Sequence, residues 1–468
     1  MNIIRIENNY SWLQTDDEKL RLLLWQALRW KERDYFHNAR FRMKLWDGFK
    51  NFFDKDTGKF LTGLLPEVKM FIKSNNQEYK CEDNRDPVKF QVDLIDKNFL
   101  DSGVILRDYQ VDYVNQAIRN RRGIVFSPTA SGKTNILIAI LKALPPNTPT
   151  LVLANRTSLV DQNYDEITSA GIKNVGRFYG GAKEANMITC ATVQSAHLLK
   201  PLLPKIRCLF VDEIHEMMSK KPKQVYTACK AASVRIGFSA TPFKFGESDK
   251  CQKFEVKGFI GPTFLVSNTE AGILTTKELQ KREILASSEC IFRPIRKPEL
   301  PYHTYIDAVT EGIAENDEFH QINKRLVDTL DGRILIIVER LEHGDRLLDL
   351  IPDAVWIRGQ DTIETRKVVI NRLKEEKGKI VAIATSGIFN TGLNVYVHHL
   401  INSASGQAEH QIVQRFGRGL RRADDKDHFV YHDWFFHNND YLTKHSRKRV
   451  AILKKEGHKV KVLEELDI

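Results

Sequence analysis

Residues Phe126 to Thr134 read FSPTASGKT, with the apolar run GIVFS leading into them and the helical stretch NILIAILKAL following. In a turn of this kind between a strand and a helix, the backbone amides and the helix N-terminus can surround phosphate oxygens. Ser127 stands where the strict pattern has Gly. The alternation continues through TPTLVLAN, MITCATV, CLFVDE and VRIGFSAT, so residues up to about Thr241 form strands and helices in turn. A second series, RILIIVER, AVWIRG, KIVAIATS, HHLINSA and HFVYHDW, repeats the pattern without a second GKT. Two similar α/β domains are expected, of which the first alone carries a phosphate loop.

The chain of 468 residues has room for about three domains. Lys plus Arg number 71 against 60 Asp plus Glu, a surplus of 11 that favours a polyanionic partner. No apolar run reaches the roughly 18 residues of a membrane span, and MNIIRIENNYSWLQ lacks the layout of a secretory signal. Six cysteines without CxxC pairing argue for reduced thiols in an intracellular protein and against a zinc ribbon. We expect a small α+β accessory domain over 1–90 and α/β domains over 91–245 and 301–440. Between the latter, 246–300 is either a linker or a projecting hairpin. The stretch 441–468 is a basic tail that begins as a helix, serving either as a solvated face or as a polyanion contact.

The phosphate loop proper is Thr129, Ala130, Ser131, Gly132, Lys133 and Thr134. Lys133 reaches the β and γ phosphates, and the Thr134 hydroxyl holds magnesium. About 80 residues on, the strand RCLFVDE ends in Asp212, suited to the magnesium, and Glu213, suited to polarising an attacking water as general base.

With these motifs in view, DEIH at Asp212–His215 resembles the DEAD/DEAH box of the superfamily 2 helicases, and QRFGRGLRR resembles their QxxGRxxR. The resemblance implies two tandem RecA-like domains, ATP and Mg2+ as cofactors, and catalytic roles for Gln414, Arg418 and Arg421. It gives Gln110, supported by Arg107, the task of reading adenine. Gly392 and Asn394 also touch nucleotide in this reading. His215, Ser239 and Thr241 couple nucleotide state to motion. Strand contacts fall on Arg156, Thr192, Gln194, Thr385 and Thr391, whose small polar groups bind phosphates without reading bases.

The N-terminal elements RFR, WDG and GLLP, with the basic tail, resemble phage UvsW-type helicases and, among these, the branch-migration helicases of T5-like phages. That implies DNA, branched in form, as the partner, no membrane, and an intracellular location, the host cytoplasm for a phage-encoded chain. Physically, Arg40, Arg42 and Lys44 alternate with Phe41, Met43 and Leu45, so a strand there turns a basic face outward. Trp46 is read either as a base-stacking residue or as core. Within the motor class, an RNA helicase or a duplex-DNA translocase that displaces proteins is the alternative. A binding-only module conflicts with the complete catalytic motifs, and no PD…ExK cluster suggests a nuclease.

Overall fold

A computed structural model of the chain describes residues 1–100, 103–240, 250–389, 396–406, 409–423 and 425–468. These fall into two units. The first comprises Met1–Ser127 with Gly132–Leu274; the second comprises Thr275–Ile468, with the loop residues Pro128–Ser131 grouped with it.

The first unit opens on a four-stranded sheet in the order Lys59–Leu61, Tyr10–Gln14, Asn2–Ile6, Tyr79–Asp83. Ile4, Ile6 and Leu13 point from it onto Leu20 and Leu24 of helix Glu18–Ala27 and Val68 and Ile72 of helix Leu65–Ser74. The accessory region is therefore α+β. Its tight turn at Asn8 and Asn9 is clamped by two buried arginines from the motor sheet. Arg122 bonds to the Asn8 carbonyl and, at 2.8 Å, to that of Phe259. Arg235 bonds to the Asn9 side chain and, at 2.8 Å, to the Cys229 carbonyl. Asn9 in turn donates to the Thr227 carbonyl at 2.7 Å.

The motor sheet of this unit has seven strands: Ala182–Lys183, Val175–Tyr179, Ile188–Thr192, Thr150–Ala154, Cys208–Val211, Val234–Ser239, Arg122–Phe126. All pairs are parallel except Ala182–Lys183 against Val175–Tyr179. The central strands Thr150–Ala154 and Cys208–Val211 are buried throughout, as expected of a sheet covered on both faces.

The second unit has another seven-stranded, wholly parallel sheet: Val355–Ile357, Ile380–Thr385, Arg333–Val338, His399–Asn402, His428–Phe436, Ser287–Ile295, Lys459–Val462. The fold is thus two tandem RecA-like parallel-sheet domains with a small N-terminal α+β region.

Three stretches differ from their sequence reading. Residues Ala39–Arg42 form a helical turn, capped by the Asn38 side chain accepting from the Arg40 amide at 3.0 Å, and Met43 and Leu45 are exposed. There is no strand with a basic face there. Within 246–300, helix Lys250–Phe259 contributes Cys251 and Phe254 to the accessory core and Val256 to the motor core, while Ser287–Ile295 is an internal strand of the second sheet. Within 441–468, helix Asp440–Lys455 leads to strand Lys459–Val462 at that sheet's edge.

Candidate functional site

The strand order of the first motor sheet sets the site. Five neighbouring strands end at one carboxyl edge, and each delivers a candidate residue there: Thr192 after Ile188–Thr192, Arg156 after Thr150–Ala154, Asp212 and Glu213 after Cys208–Val211, Ser239 at the end of Val234–Ser239, and the phosphate loop after Arg122–Phe126. Ligands of open α/β sheets bind at this edge.

Helix Lys133–Ala143 starts from Gly132, whose φ of +82° suits glycine and aims the following amides toward the loop. A Cβ at Gly132 would lie 2.4 Å from Gln110 Nε2. Ser131 Oγ donates to the Pro128 carbonyl at 2.7 Å, and Lys133 Nζ donates to the Ser127 carbonyl at 3.2 Å. Ser127, the departure from the usual Gly, is fully buried, and its amide donates to the Ser239 carbonyl at 3.1 Å. The residue thus ties the loop to the adjacent strand. Thr134 is half-buried at the helix start, as are Thr129 and Ala130 in the loop.

Gln110 is buried at the start of helix Asp108–Asn120. Its Oε1 accepts from the Arg107 amide at 2.8 Å and its Nε2 donates to the Gly132 carbonyl at 3.3 Å, so the amide spans the helix start and the phosphate loop. Arg107 Nη1 lies 3.3 Å from the Tyr109 hydroxyl.

The Asp212 carboxylate accepts from the Glu213 amide at 3.0 Å. Burial, with Glu213 beside it, pushes its pKa well above the carboxylate range, and Lys133 offsets this in part. Glu213 is left-handed, at φ +45°, a conformation that costs a non-glycine residue about 1–3 kcal/mol. Its Oε2 accepts from Ser239 Oγ at 3.3 Å, and His215 Nδ1 lies 2.9 Å from the same hydroxyl. Glu213, half-buried, thus shares one hydrogen-bonded cluster with the buried His215 and Ser239.

Further along the edge, Arg156 and Thr192 are the N-cap residues of helices Thr157–Ser169 and Val193–Ala196, and Gln194 donates to the Asn155 carbonyl at 3.3 Å. Thr192 is 4% exposed. On the accessory region Arg40, Arg42 and Lys44 are exposed. Trp46 is half-buried, with its Nε1 donating to the Phe49 carbonyl at 2.7 Å. The Arg29 guanidinium, paired with Asp47, lies 4.2 Å from the ring centres of both Trp25 and Phe49.

In the second unit, helix Glu409–Gly419 carries Arg418, with Arg421 just beyond its end; both are half-buried. Lys426 Nζ caps this end by donating to the Arg421 carbonyl at 2.7 Å and to that of Gly419. The helix is tied to its surroundings by a buried polar chain absent from any sequence motif. Arg415 Nη1 donates to Asn402 Oδ1 at 3.1 Å, Asn402 Nδ2 to Asp433 Oδ2 at 3.1 Å, and Arg449 grips Asp433 through both oxygens at 3.0 Å. Thr385 ends strand Ile380–Thr385 and is half-buried. Thr241, Thr391, Gly392 and Asn394 lie outside the described residues, as does the Gln414 side chain.

Among the described residues no three His, Cys, Asp or Glu side chains cluster as a metal cage. Thr134 and Asp212 are the groups that could hold magnesium, and a desolvated carboxylate such as Asp212 gains from a cation beside it.

Residues 103–244 match the family described as "Type III restriction enzyme, res subunit", and 319–423 the "Helicase conserved C-terminal domain". The chain is 24% identical over 359 residues to a protein named "Putative DNA 3'-5' helicase Rad25" from Haloarcula marismortui, covering 74% of this chain and 54% of that one. It is 24% identical over 433 residues to the "ATP-dependent DNA helicase uvsW" of Enterobacteria phage T4, covering 84% and 82%. The chain thus spans about half the length of the haloarchaeal relative. In fold it resembles a fragment of a putative HsdR subunit of a type I restriction enzyme from Vibrio vulnificus, at TM-score 0.57 and 17% identity, covering 79% of this chain and 71% of that one. Dbp5 of S. cerevisiae, bound to RNA and ADP BeF3, gives TM-score 0.55 at 14% identity over 79% and 93%.

Proposed function

We propose that this chain is a superfamily 2 helicase that hydrolyses ATP to move along DNA and acts on branched DNA, a reading supported by its helicase C-terminal domain match and by the motifs along the chain. The observation that carries the motor reading is the carboxyl edge of the first sheet. There the phosphate loop, the Asp212–Glu213 pair, the Ser239 hydroxyl and two strand-end candidates for DNA follow one another on adjacent strands.

In this reading the loop from Thr129 to Thr134 cradles the phosphates and Lys133 leaves the Ser127 carbonyl to meet them. Gln110, already bonded to the loop, reads adenine with Arg107 beside it. Thr134 and Asp212 would hold magnesium, which would supply charge neutralisation for the phosphate chain. Glu213 orients and polarises the attacking water, and Gln414, Arg418 and Arg421 stabilise charge on the transferring phosphoryl group. Because Glu213, Ser239 and His215 share hydrogen bonds, loss of the γ phosphate changes what Ser239 is held by, and Thr241 follows it in sequence. Gly392 and Asn394 complete the nucleotide contacts. Arg156, Thr192, Gln194, Thr385 and Thr391 hold the DNA backbone. Arg40, Arg42 and Lys44, exposed on and just after a helical turn and not as one strand face, meet the branch together with the half-buried Trp46.

DNA as substrate is supported by the similarity to the T4 DNA helicase over most of both chains; the branched form rests on the resemblance of the RFR, WDG and GLLP elements and on the aromatic and basic character of the accessory region. Placement among the branch-migration helicases of T5-like phages goes with it. The test compares ATP hydrolysis and unwinding on a four-way junction, a fork, a linear DNA duplex and an RNA duplex at equal ends. Greater stimulation by junction and fork supports the reading; equal stimulation by linear DNA removes the branch preference, and preference for the RNA duplex replaces DNA as substrate.

A further inference from the structure

Helix Asp440–Lys455 carries Lys444, Arg447, Lys448, Arg449, Lys454 and Lys455, with Asp440 its one acidic residue. The structure divides these cations sharply. Arg449 is 1% exposed and spent on Asp433, with a further bond from its Nη1 to the Gly406 carbonyl at 3.2 Å. Leu442, Ser446, Ile452 and Leu453 lie on the same buried face. Lys444, Arg447, Lys448 and Lys454 are exposed. None of these four forms an ion pair among the described residues. At 1.5 Å per residue the four span about 15 Å along the axis, the length of about four phosphates on one strand of a duplex.

Large exposed side chains gather at the start of this helix. Asn439 caps it and donates from Nδ2 to the Leu300 carbonyl at 2.7 Å and the His303 carbonyl at 3.2 Å, and the Leu300 amide donates to the Asn438 carbonyl at 2.8 Å. That fixes the turn carrying Tyr302, which is 98% exposed. Tyr441 is 52% exposed, and its ring centre lies 6.5 Å from that of Tyr305. Exposed aromatic rings beside a row of cations without ion pairs among the described residues match the two halves of a nucleotide, base and phosphate. The nearby acids Asp307 and Glu311 are engaged, with the Thr304 hydroxyl at 2.6 Å and His303 at 3.2 Å.

On the DNA-motor reading, we propose that the exposed face of helix Asp440–Lys455, with Tyr302 and Tyr441 at its start, is a second nucleic-acid contact, its cations on the backbone and its rings on an unpaired base. The contact has a route to the ATP chemistry. This helix packs on Glu409–Gly419, which bears Arg418, and the Arg449–Asp433–Asn402–Arg415 chain joins the two.

The test is fluorescence-anisotropy binding of the full chain to a labelled fork without nucleotide, across a salt series. Three proteins are compared: wild type, K444E/R447E/K448E, and a charge-matched control in the first unit, K173E/K200E/K205E, with thermal melts to establish folding. We expect the helix variant to bind at least about tenfold more weakly and to lose about 2–3 from the slope of log affinity against log salt, with the control near wild type. Tyr302→Ala weakens binding to the fork by about tenfold without changing the slope, because stacking releases no counterions. A folded helix variant that binds like wild type, or a control that loses as much, overturns the proposal. So does loss of binding to anionic lipid vesicles with DNA affinity unchanged. Because no ATP is present, the outcome is separate from the motor reading, which stands or falls on hydrolysis.

Discussion

On the proposed reading, the chemistry concentrates at Glu213. This residue is held left-handed at the end of a buried strand, between Asp212 and the Ser239 hydroxyl. Glu213→Gln keeps the size and most hydrogen bonds but cannot accept a proton. Steady-state kinetics are expected to show kcat falling by at least about a hundredfold with KM for ATP little changed, in line with loss of a general base. Gly132→Ala probes the loop differently, since a Cβ there meets Gln110 Nε2 in a backbone conformation that alanine resists. Titration with a fluorescent ATP analogue should show weakened binding, while the same change at exposed Gly359 should not. The phosphate loop and DEIH were legible in the sequence because each is contiguous and its chemistry fixes its spacing. Gln110, 22 residues before Gly132, was legible only through family resemblance. The Arg415–Asn402–Asp433–Arg449 chain was not legible at all, since its members come from four elements and fit no local spacing.

Among elements, those with strong periodicity were read correctly and those decided by distant partners were not. Buried strands such as RILIIV announce themselves as short β-branched runs between turns. The alternation in Arg40–Leu45 has the period of a strand, but the Asn38 side chain caps a helical turn there first. Strand Lys459–Val462 has four residues, and what makes it a strand is Ser287–Ile295, some 170 positions earlier. Two variants weigh such long-range ties by urea denaturation. Asn9→Ala removes its bonds to Thr227 and Arg235 at the accessory turn and is expected to cost about 1–3 kcal/mol. Asp433→Ala strands the buried Arg449 and should cost about 3–5 kcal/mol.

The whole molecule carries an uneven response to acid. Burial, aided by neighbouring histidines and cations, depresses His343 to about 3 and His399 and His445 to about 4; burial alone does the same to His458, and His432 is held well below the usual value. All five lie in the second unit. Between about pH 6.5 and 4 the unfolded chain takes up protons that these folded histidines refuse, so stability present near neutrality is lost as the pH falls. Calorimetry from pH 7.5 to 5.5 should show the transition of the second unit moving down by several degrees, and His343→Gln should shrink that shift. No described helix is long and apolar enough to cross a membrane. On the proposed reading, Lys133 and Arg418 both serve the ATP hydrolysis that drives a DNA motor. ATP hydrolysis with and without forked DNA, for wild type, Lys133→Ala and Arg418→Ala, tests it most directly. The account predicts DNA-stimulated turnover in wild type and a loss of at least about a hundredfold in each variant; wild-type turnover in either variant would contradict it.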